Sequence, residues 1–390
     1  MKGGLKVWRK IVAIIFIIAM LPIIFCGCWN YREIDTLAIV AGMAIDKDIK
    51  TNKYILTTEI ITTQTQGTSS NMSSEFYSAE GDGIFSAARN MIGKTGLKLF
   101  WSDAKVIIIS EAVAKEGVIP ATEWVNRAHE IRADIWIMIA QGNTAAEILK
   151  AKVKLNGVNS FHLDDAMKSG EILSKYSDSR LVSFIDGISS EGNCQAVATI
   201  KNELMDGTKT PRLEGSAIFK ADKLVGYLDG DETLYLKMIK NKIKEGLITI
   251  KNVLNSDTNV TLEIYGNRTK STPFYNNGRV SLIIDIYPVV GIEEVQGSKD
   301  FMDGENLKLF QSESEKEIAV QIQYLISKLQ KEYDCDALGF GEIFAREKPK
   351  VSENFKKNGE DIFLAINTTI NVHLQITRSG KTIKPIGIEK

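Results

Sequence analysis

Cys28 is the residue whose position most clearly predicts a chemical reaction. The chain begins with a basic region, residues 1–10, that contains no acidic residue. An apolar segment, residues 11–25, follows, and Cys28 comes shortly after it, directly behind Gly27. A basic region, an apolar region and a small residue before a cleavage site are the features of an export signal. A cysteine directly after that site is typical of a bacterial lipoprotein, in which the thiol takes a diacylglyceryl group. The sequence therefore predicts cleavage between Gly27 and Cys28, with Cys28 as the lipidated new N-terminus.

Two alternatives compete with this interpretation. Cys26 is a poorer acceptor because bulky Phe25 would stand at its cleavage site, and Phe25 itself departs from the leucine that is usual before Cys28. The other alternative is an uncleaved membrane anchor, but a spanning helix needs about 20 apolar residues, and residues 11–25 are fewer. Both interpretations place residues 29–390 outside the cytoplasm.

Other residue types that carry chemistry are scattered. His129, His162 and His373 lie far apart, and no two have the spacing of zinc ligands. The sequence has neither the Gly-x-Ser-x-Gly motif of hydrolases nor a phosphate-binding Walker loop. The glycines of residues 339–342 follow a predicted helix instead of a strand, which favours a tight turn over a dinucleotide site. The sequence therefore predicts no catalytic residue, no metal site and no cofactor.

Adjacent carboxylates are the remaining candidates for catalysis. Asp164-Asp165 and Glu293-Glu294 could serve glycoside hydrolysis in an exported protein near peptidoglycan. Neighbouring acids point apart on a strand, however, and are common on solvated surfaces. We interpret both pairs as surface residues.

Composition and charge narrow the class of protein further. Of the 390 residues 44% are hydrophobic and 25% are charged, as in a soluble globular protein. Residues 1–27 carry four positive and no negative charges, so their removal takes the formal net charge from −1 to −5. This balance argues against a protein that binds nucleic acid or anionic lipid by charge. After lipidation of Cys28, Cys194 and Cys335 would be the two remaining free cysteines, and we expect two isolated small apolar residues in preference to a disulfide.

The elements that must position these residues alternate between strands and helices. Apolar runs rich in β-branched residues predict strands, and helical spacing of apolar residues predicts helices between them. The predicted strands lie at residues 37–45, 54–62, 75–79, 105–110, 135–140, 195–200, 215–219, 224–228, 260–265, 280–287, 363–370 and 372–376. This order predicts an α/β (mixed α+β) protein of three domains, each with a sheet packed by helices. The expected domains are residues 28–190, a small middle unit 191–258, and residues 259–390.

Several local patterns give sharper expectations. The Asn277-Gly278 step predicts a hairpin turn, and residues 63–74, rich in Ser, Thr and Gln, predict a surface loop. Residues 313–333 predict the longest helix. The apolar stripe of this helix consists of Ile318, Ile322, Leu325 and Leu329. We expect it to pack on the sheet of its own domain; the alternative is that it binds a partner helix.

Residues 27–34, Gly-Cys-Trp-Asn-Tyr-Arg-Glu-Ile, resemble the mature start of the C-subunit lipoproteins of bacterial spore germinant receptors. Asn30 replaces the aspartate that is common there. Further blocks match that family in the same order, so the resemblance spans essentially the whole chain. These blocks are residues 44–47, the Trp124–Arg132 segment with Arg127 and Glu130, residues 215–219 with 224–226 and Glu232, and residues 329–333 with Asp336 and 338–341.

The resemblance implies a function without catalysis. It implies three α/β domains on a lipid anchor at the outer face of the inner spore membrane, beside a membrane-spanning A subunit and a transporter-like B subunit. Such receptors respond to small nutrients and trigger the release of ions and dipicolinate. Trp29, Tyr31, Arg32 and Glu33 would lie closest to the bilayer, where they are expected either to contact the spanning subunits or to tie the N-terminus onto the first domain.

Two other classes of protein stay open at this point. A solute-binding lipoprotein would capture the nutrient in a cleft between two similar lobes, but the sequence shows no internal repeat. A spore-cortex hydrolase would need carboxylates held at catalytic spacing in a groove.

Overall fold

The computed structural model describes residues 7–16, 36–66, 69–132, 134–153, 157–189, 194–297, 304–358 and 361–378. Residues 7–16 form a short exposed helix, α1. Within the described ranges, no helix has both the length and the apolar character needed to cross a membrane. The predicted cleavage and lipidation sites, Gly27 and Cys28, lie outside these ranges.

The first half of the chain builds a mixed nine-stranded sheet. Its order is β3-β2-β1-β5-β6-β7-β8-β9, with β4 paired to β1. The strands are β1 Leu37–Lys47, β2 Tyr54–Gln66, β3 Ser69–Gly81, β4 Lys98–Phe100, β5 Val106–Ser110, β6 Trp136–Ala140, β7 Cys194–Met205, β8 Thr208–Lys220 and β9 Lys223–Leu228. The helices between them are α2 Ile84–Thr95, α3 Glu111–Glu116, α4 Ile119–Arg127, α5 Ala145–Leu149, α6 Asn159–Leu173 and α7 Leu181–Ser189.

Helices cover both faces of the central strands of this sheet. In β5, Ile107 and Ile109 face the core under α2, α3, α4 and α7, while Val106 and Ile108 face the core under α5 and α6. Because successive side chains of a strand point to opposite faces, a strand that is buried on both sides must be apolar throughout. This explains the continuous apolar runs that predict the strands.

The second half builds a smaller sheet of five strands. Its order is β10-β11-β12-β13, with β14 paired to β12. The strands are β10 Gly246–Ile250, β11 Asn259–Asn276, β12 Arg279–Gln296, β13 Asn367–Val372 and β14 Gln375–Arg378. The helices are α8 Gly230–Ile239, α9 Gly304–Lys331, α10 Phe340–Glu347, α11 Pro349–Lys357 and α12 Ile362–Ala365. The predicted fold class, α/β with sheets packed by helices, is confirmed.

Two sequence predictions about local structure are confirmed and two are wrong. Asn277 and Gly278 form the hairpin turn between β11 and β12, both with positive φ, and the stripe of α9 is buried in its own domain. Residues 63–66 and 69–74 are strand instead of loop, because β2 and β3 pair from Tyr54 opposite Gly81 to Gln66 opposite Ser69. Residues 362–365 form helix α12 instead of strand, and the Asp361 carboxylate caps this helix by accepting from the Phe363 amide at 2.9 Å.

The predicted middle unit does not have a sheet of its own. Strand β7 pairs with β6 in parallel, so the first sheet extends across the predicted domain boundary to β9. Helix α8 and strand β10 instead belong to the core of the second sheet. Local alternation shows that residues 194–200 form a strand but does not reveal its neighbour in the sheet. The division of the chain at residues 190 and 258 stays a prediction.

The two sheets meet at a junction that is covalently linked. Cys194, at the start of β7, forms a disulfide with Cys335, just after α9. The expectation of two isolated apolar cysteines is therefore wrong. Their Cα atoms lie 5.7 Å apart although 141 positions separate them in sequence, and only the folded chain brings them together.

Tyr333 completes this junction. Its hydroxyl donates to the carbonyl of Tyr227 at 2.7 Å and accepts from the Tyr227 amide at 3.1 Å. Nearby, the Lys328 ammonium donates to both carboxylate oxygens of Glu232 at 2.8 Å. Strand β9, helix α8 and the end of α9 are thus held as one packed unit.

Candidate functional site

A groove lies between helices α2 and α4, with strand β4 at its side. Its volume is about 810 Å³. Strand β4 pairs in parallel with the first residues of β1, Leu37 opposite Lys98 and Ala38 opposite Leu99. Because Lys98 and Leu99 line the groove, the groove opens beside the point at which the chain enters the first sheet.

Helix α2 supplies one wall of the groove. The helix packs its buried stripe, which includes Ile84 and Ala88, against the sheet, and this packing directs Phe85 outwards. Phe85 keeps 52% of its surface exposed. The Arg89 guanidinium, one helical turn further on, lies 5.0 Å from the centre of the Phe85 ring. Residues four apart share a helix face, so an aromatic ring and a cation are presented together.

Helix α4 and the segment after β4 supply the aromatic floor. Trp101 is almost fully buried, and its ring meets Trp124 edge-on at 5.2 Å between ring centres. Trp124 in turn lies 6.5 Å from Phe85. Edge-to-face contact at this distance is a favourable aromatic geometry. A buried ring thus fixes Trp124, and Trp124 connects the buried ring to the exposed one.

Charged residues form the rim of the groove. Arg127 contacts Glu123 at 2.6 Å and Lys98 contacts Glu130 at 2.5 Å. Just beyond, two hydrogen bonds of 2.8 Å from Arg132 hold the pKa of Asp134 at about 2. The rim of the groove therefore carries both positive and negative side chains. An apolar centre rich in aromatic residues and arginine, with a polar rim, is the usual composition of a protein-binding surface.

The structure separates the other candidates for chemistry. His129 lines the groove, His162 lies on α6, and His373 stacks on Tyr287 at 4.8 Å. No group of three or more potential metal ligands occurs among the residues that the structure describes.

The two carboxylate pairs lie on separate elements. Asp164, on α6, is buried and accepts from the Trp136 indole at 2.8 Å and from Lys168 at 2.7 Å. Glu293, on β12, accepts from the Tyr265 hydroxyl at 2.5 Å. These contacts tie each carboxylate to its neighbours, so the interpretation of Asp164 as a solvated surface residue is wrong.

The sequence blocks that resemble the germinant-receptor family divide into two groups. Asp46 accepts from the Ala145 and Ala146 amides at 2.8 and 2.9 Å and so caps α5. Asp336 does the same for α10, with bonds of 2.6 to 3.0 Å from residues 339–341. The structural contacts of Asp46 and Asp336, like those of Glu232 and Tyr333, explain why the fold needs these residue types. The Trp124–Arg132 block instead lines or adjoins the groove.

Helix α2 contributes two residues to this site, Phe85 and Arg89, that the sequence predictions do not include. The signal was present: Phe85 directly follows the first residue of the buried stripe and must face away from it. The membrane-proximal candidates Trp29, Tyr31, Arg32 and Glu33 lie outside the described residues, so their role stays a prediction.

The fold and the groove define a two-sheet α/β protein with a half-exposed aromatic groove and a disulfide-linked junction between the sheets. Comparison with known protein families shows which family the chain belongs to. Residues 30–201 match the family described as "Spore germination protein N-terminal domain". Residues 214–380 match "Spore germination B3/GerAC like, C-terminal". The chain therefore belongs to this family of spore germination proteins, which confirms the resemblance found in the sequence.

Individual relatives cover nearly the whole chain. Spore germination protein KC of Bacillus subtilis (strain 168) is 24% identical over 388 residues, covering 93% of this chain and 95% of the relative. Spore germination protein B3 of the same organism is 23% identical, covering 91% and 94%. Spore germination protein GerQC of Bacillus cereus is 22% identical, covering 95% and 99%.

A solved structure shows the same fold. The crystal structure of the GerBC protein aligns with a TM-score of 0.56 and 22% identity, covering 86% of this chain and 96% of that one. The two family matches meet between residues 201 and 214, inside the hairpin of β7 and β8. The family boundary thus falls within the nine-stranded sheet.

Proposed function

We propose that this chain is the lipid-anchored, non-enzymatic C subunit of a nutrient germinant receptor. In this role it stands at the outer face of the inner spore membrane beside a spanning A subunit and a transporter-like B subunit, and it is required for germination in response to small nutrients. The observation that carries the proposal is the family match across both halves of the chain, together with the Gly27-Cys28 lipidation pattern at its start.

The position of the groove supports this arrangement. Thr36, directly before β1, lies eight positions after Cys28. A fully extended chain spans about 3.5 Å per residue, so a lipid on Cys28 would hold the start of β1 within roughly 28 Å of the bilayer. The groove opens at that same end of the sheet. It is therefore within reach of the extracellular parts of the spanning subunits.

The energetics of acyl-chain burial explain why a diacylglyceryl group would be a stable membrane anchor. Buried acyl chain contributes about 0.8 kcal/mol per methylene, and stable attachment requires about two chains. A diacylglyceryl group on Cys28 supplies two. We therefore expect Cys28→Ala to leave the folded domains intact and to impair the germination response.

Membrane fractionation with mass spectrometry of the N-terminal peptide tests this proposal. The uncleaved apolar segment could retain the Cys28→Ala protein, so a second variant carries an ordinary secretory signal together with Cys28→Ala and is expected to leave the membrane. An unmodified Cys28 in spores that germinate normally would contradict the anchoring step.

Direct nutrient binding is a second candidate function. The observation that favours it is the size of the groove. Its volume lies in the range of about 300–1,000 Å³ that small-molecule sites occupy. The two halves of the chain, however, differ in strand number and order, so they are not the similar lobes of a solute-binding protein. Thermal unfolding with single nutrients separates the two functions: a saturable rise in Tm that Trp124→Ala abolishes would indicate capture of the nutrient.

A further inference from the structure

A small cavity with an excess of positive charge lies at the junction of the two sheets. Its volume is about 80 Å³. One side is formed by residues 177–179 and by Gln195 of β7, and the other side by the end of α8. Among the described residues, three lysines line the cavity, Lys237, Lys240 and Lys242, against one carboxylate, that of Asp178.

Lys237 is buried, and the residues that the structure describes give its charge few partners. Only 3% of its surface is exposed. Its ammonium carries three N–H donors, yet within the described part of the chain it has one long hydrogen bond of 3.5 Å, to the Tyr176 carbonyl, and lies 3.8 Å from Asp178. Asp178 is itself half-exposed, so solvent weakens its attraction. Burial lowers the pKa of Lys237, and Asp178 offsets this only in part.

The other two lysines retain donors for a shared ligand. Lys240 donates to the Ala337 carbonyl at 2.8 Å, and Asp336 and Glu342 lie near enough to act on its charge. Lys242 is exposed at the edge of the cavity. Cations in the last turn of a helix interact favourably with the helix dipole, and Lys237 lies in the last turn of α8. The dipole favours its charge but does not supply hydrogen-bond acceptors for its buried ammonium.

We propose that this cavity binds a small oxyanion, either a carboxylate or inorganic phosphate, through the ammonium groups of Lys237, Lys240 and Lys242. Charge-assisted hydrogen bonds from ammonium groups to such oxygens are short and strong. One anion would satisfy the buried donors of Lys237. It would also connect residues 177–179 and β7 of the first sheet with α8 of the second core. The site is independent of the groove and of the germination role.

Thermal unfolding of the full-length lipoprotein in detergent tests the proposal. Sodium phosphate and sodium acetate are titrated separately at constant ionic strength, with sodium chloride as the reference salt. We expect a saturable rise in Tm with phosphate or with acetate, and the more effective salt identifies the ligand chemistry. No rise with either anion beyond that of chloride would overturn the proposal.

Two variants assign the effect to the cavity. Lys237→Met should abolish the rise in Tm and, without anion, should unfold at or above the wild-type Tm, because an apolar residue of similar length replaces a poorly paired buried charge. Lys242→Gln, at an exposed position, should leave the Tm without anion unchanged and weaken anion affinity several-fold. If Lys237→Met does not fold, Lys242→Gln alone decides the outcome.

A matched control uses Lys316, which is exposed on α9 away from the cavity. Lys316→Gln should retain the full wild-type response. Equal responses in wild type, Lys242→Gln and Lys316→Gln would place anion binding elsewhere and refute the site. A Tm of Lys237→Met far below that of wild type in the absence of anion would also refute it, because Tyr176 and Asp178 would then suffice as partners.

Discussion

The groove and the junction contain similar residue types in opposite environments. At the junction, Tyr333 and the Lys328–Glu232 pair are largely enclosed and hydrogen-bonded, and a disulfide lies close by. At the groove, Phe85 is half-exposed and the ion pairs around it stand in solvent. Both regions contain blocks that the sequence shares with the germination family, but their physical roles differ.

This difference separates residues that serve stability from residues that serve recognition. Enclosed pairs contribute to folding because breaking one leaves an unsatisfied group, which costs about 1–3 kcal/mol. Exposed ion pairs contribute about 0–1 kcal/mol. Stability therefore explains the identity of Tyr333 but not that of Phe85. We infer that the groove is the surface that meets a partner, while the junction keeps the two sheets in a fixed relation.

The largest effect is expected from removal of the disulfide at the junction. The double variant Cys194→Ser, Cys335→Ser should lose about 2–5 kcal/mol in the free energy of unfolding, the usual range for a native disulfide. Urea unfolding with and without reductant measures this loss. Reductant should destabilise the wild type to the same degree and leave the double variant unchanged. Equal stability of both proteins without reductant would show that the junction does not depend on the covalent link.

A smaller effect is expected at Gly226, which packs against Tyr333. A Cβ atom at Gly226 would overlap the Tyr333 ring, and the two hydrogen bonds of the hydroxyl to Tyr227 prevent the ring from moving freely. Gly226→Ala should therefore cost about 1–3 kcal/mol, as overpacking usually does.

Gly93 provides the matched control for this substitution. It lies within α2, where a Cβ atom would meet nothing within 4 Å. Gly93→Ala should stabilise the protein by about 0.5–1 kcal/mol, since alanine favours the helix more than glycine does. A destabilisation at Gly93 as large as that at Gly226 would contradict the packing argument.

The smallest effect on stability is expected at the groove, where the effect on function should be largest. Phe85→Ser removes an exposed ring and its contact with Arg89, so the free energy of unfolding should change by less than about 1 kcal/mol. Association with the spanning subunits and the germination rate should fall. Co-purification of the membrane complex and spore germination assays measure both.

Ile119 offers the comparison for this test. It is an exposed apolar residue on α4 that does not line the groove. Ile119→Ser should leave complex formation and germination unchanged. If Phe85→Ser spores germinate like wild type, or if both variants fail alike, the groove is not the partner surface.

The sequence by itself determined the fold class, most strands, the long helix and the family. These features depend on local patterns: period-two or continuous apolar runs for strands, helical spacing for α9, and the Asn277-Gly278 turn. The lipidation pattern at Gly27-Cys28 is equally local. It stays a prediction, because it lies outside the described residues.

Only the tertiary structure decided which distant residues meet. The Cys194–Cys335 disulfide joins positions 141 apart. Glu59, in the middle of β2, accepts from the Asn159 and Ser160 amides at 2.7 Å and so holds the start of α6. Strand neighbours such as β6 and β7, and the alignment of α2 with α4 that forms the groove, are likewise long-range. Local periodicity fixes which face of an element is buried, but the partner of that face depends on how the whole chain packs.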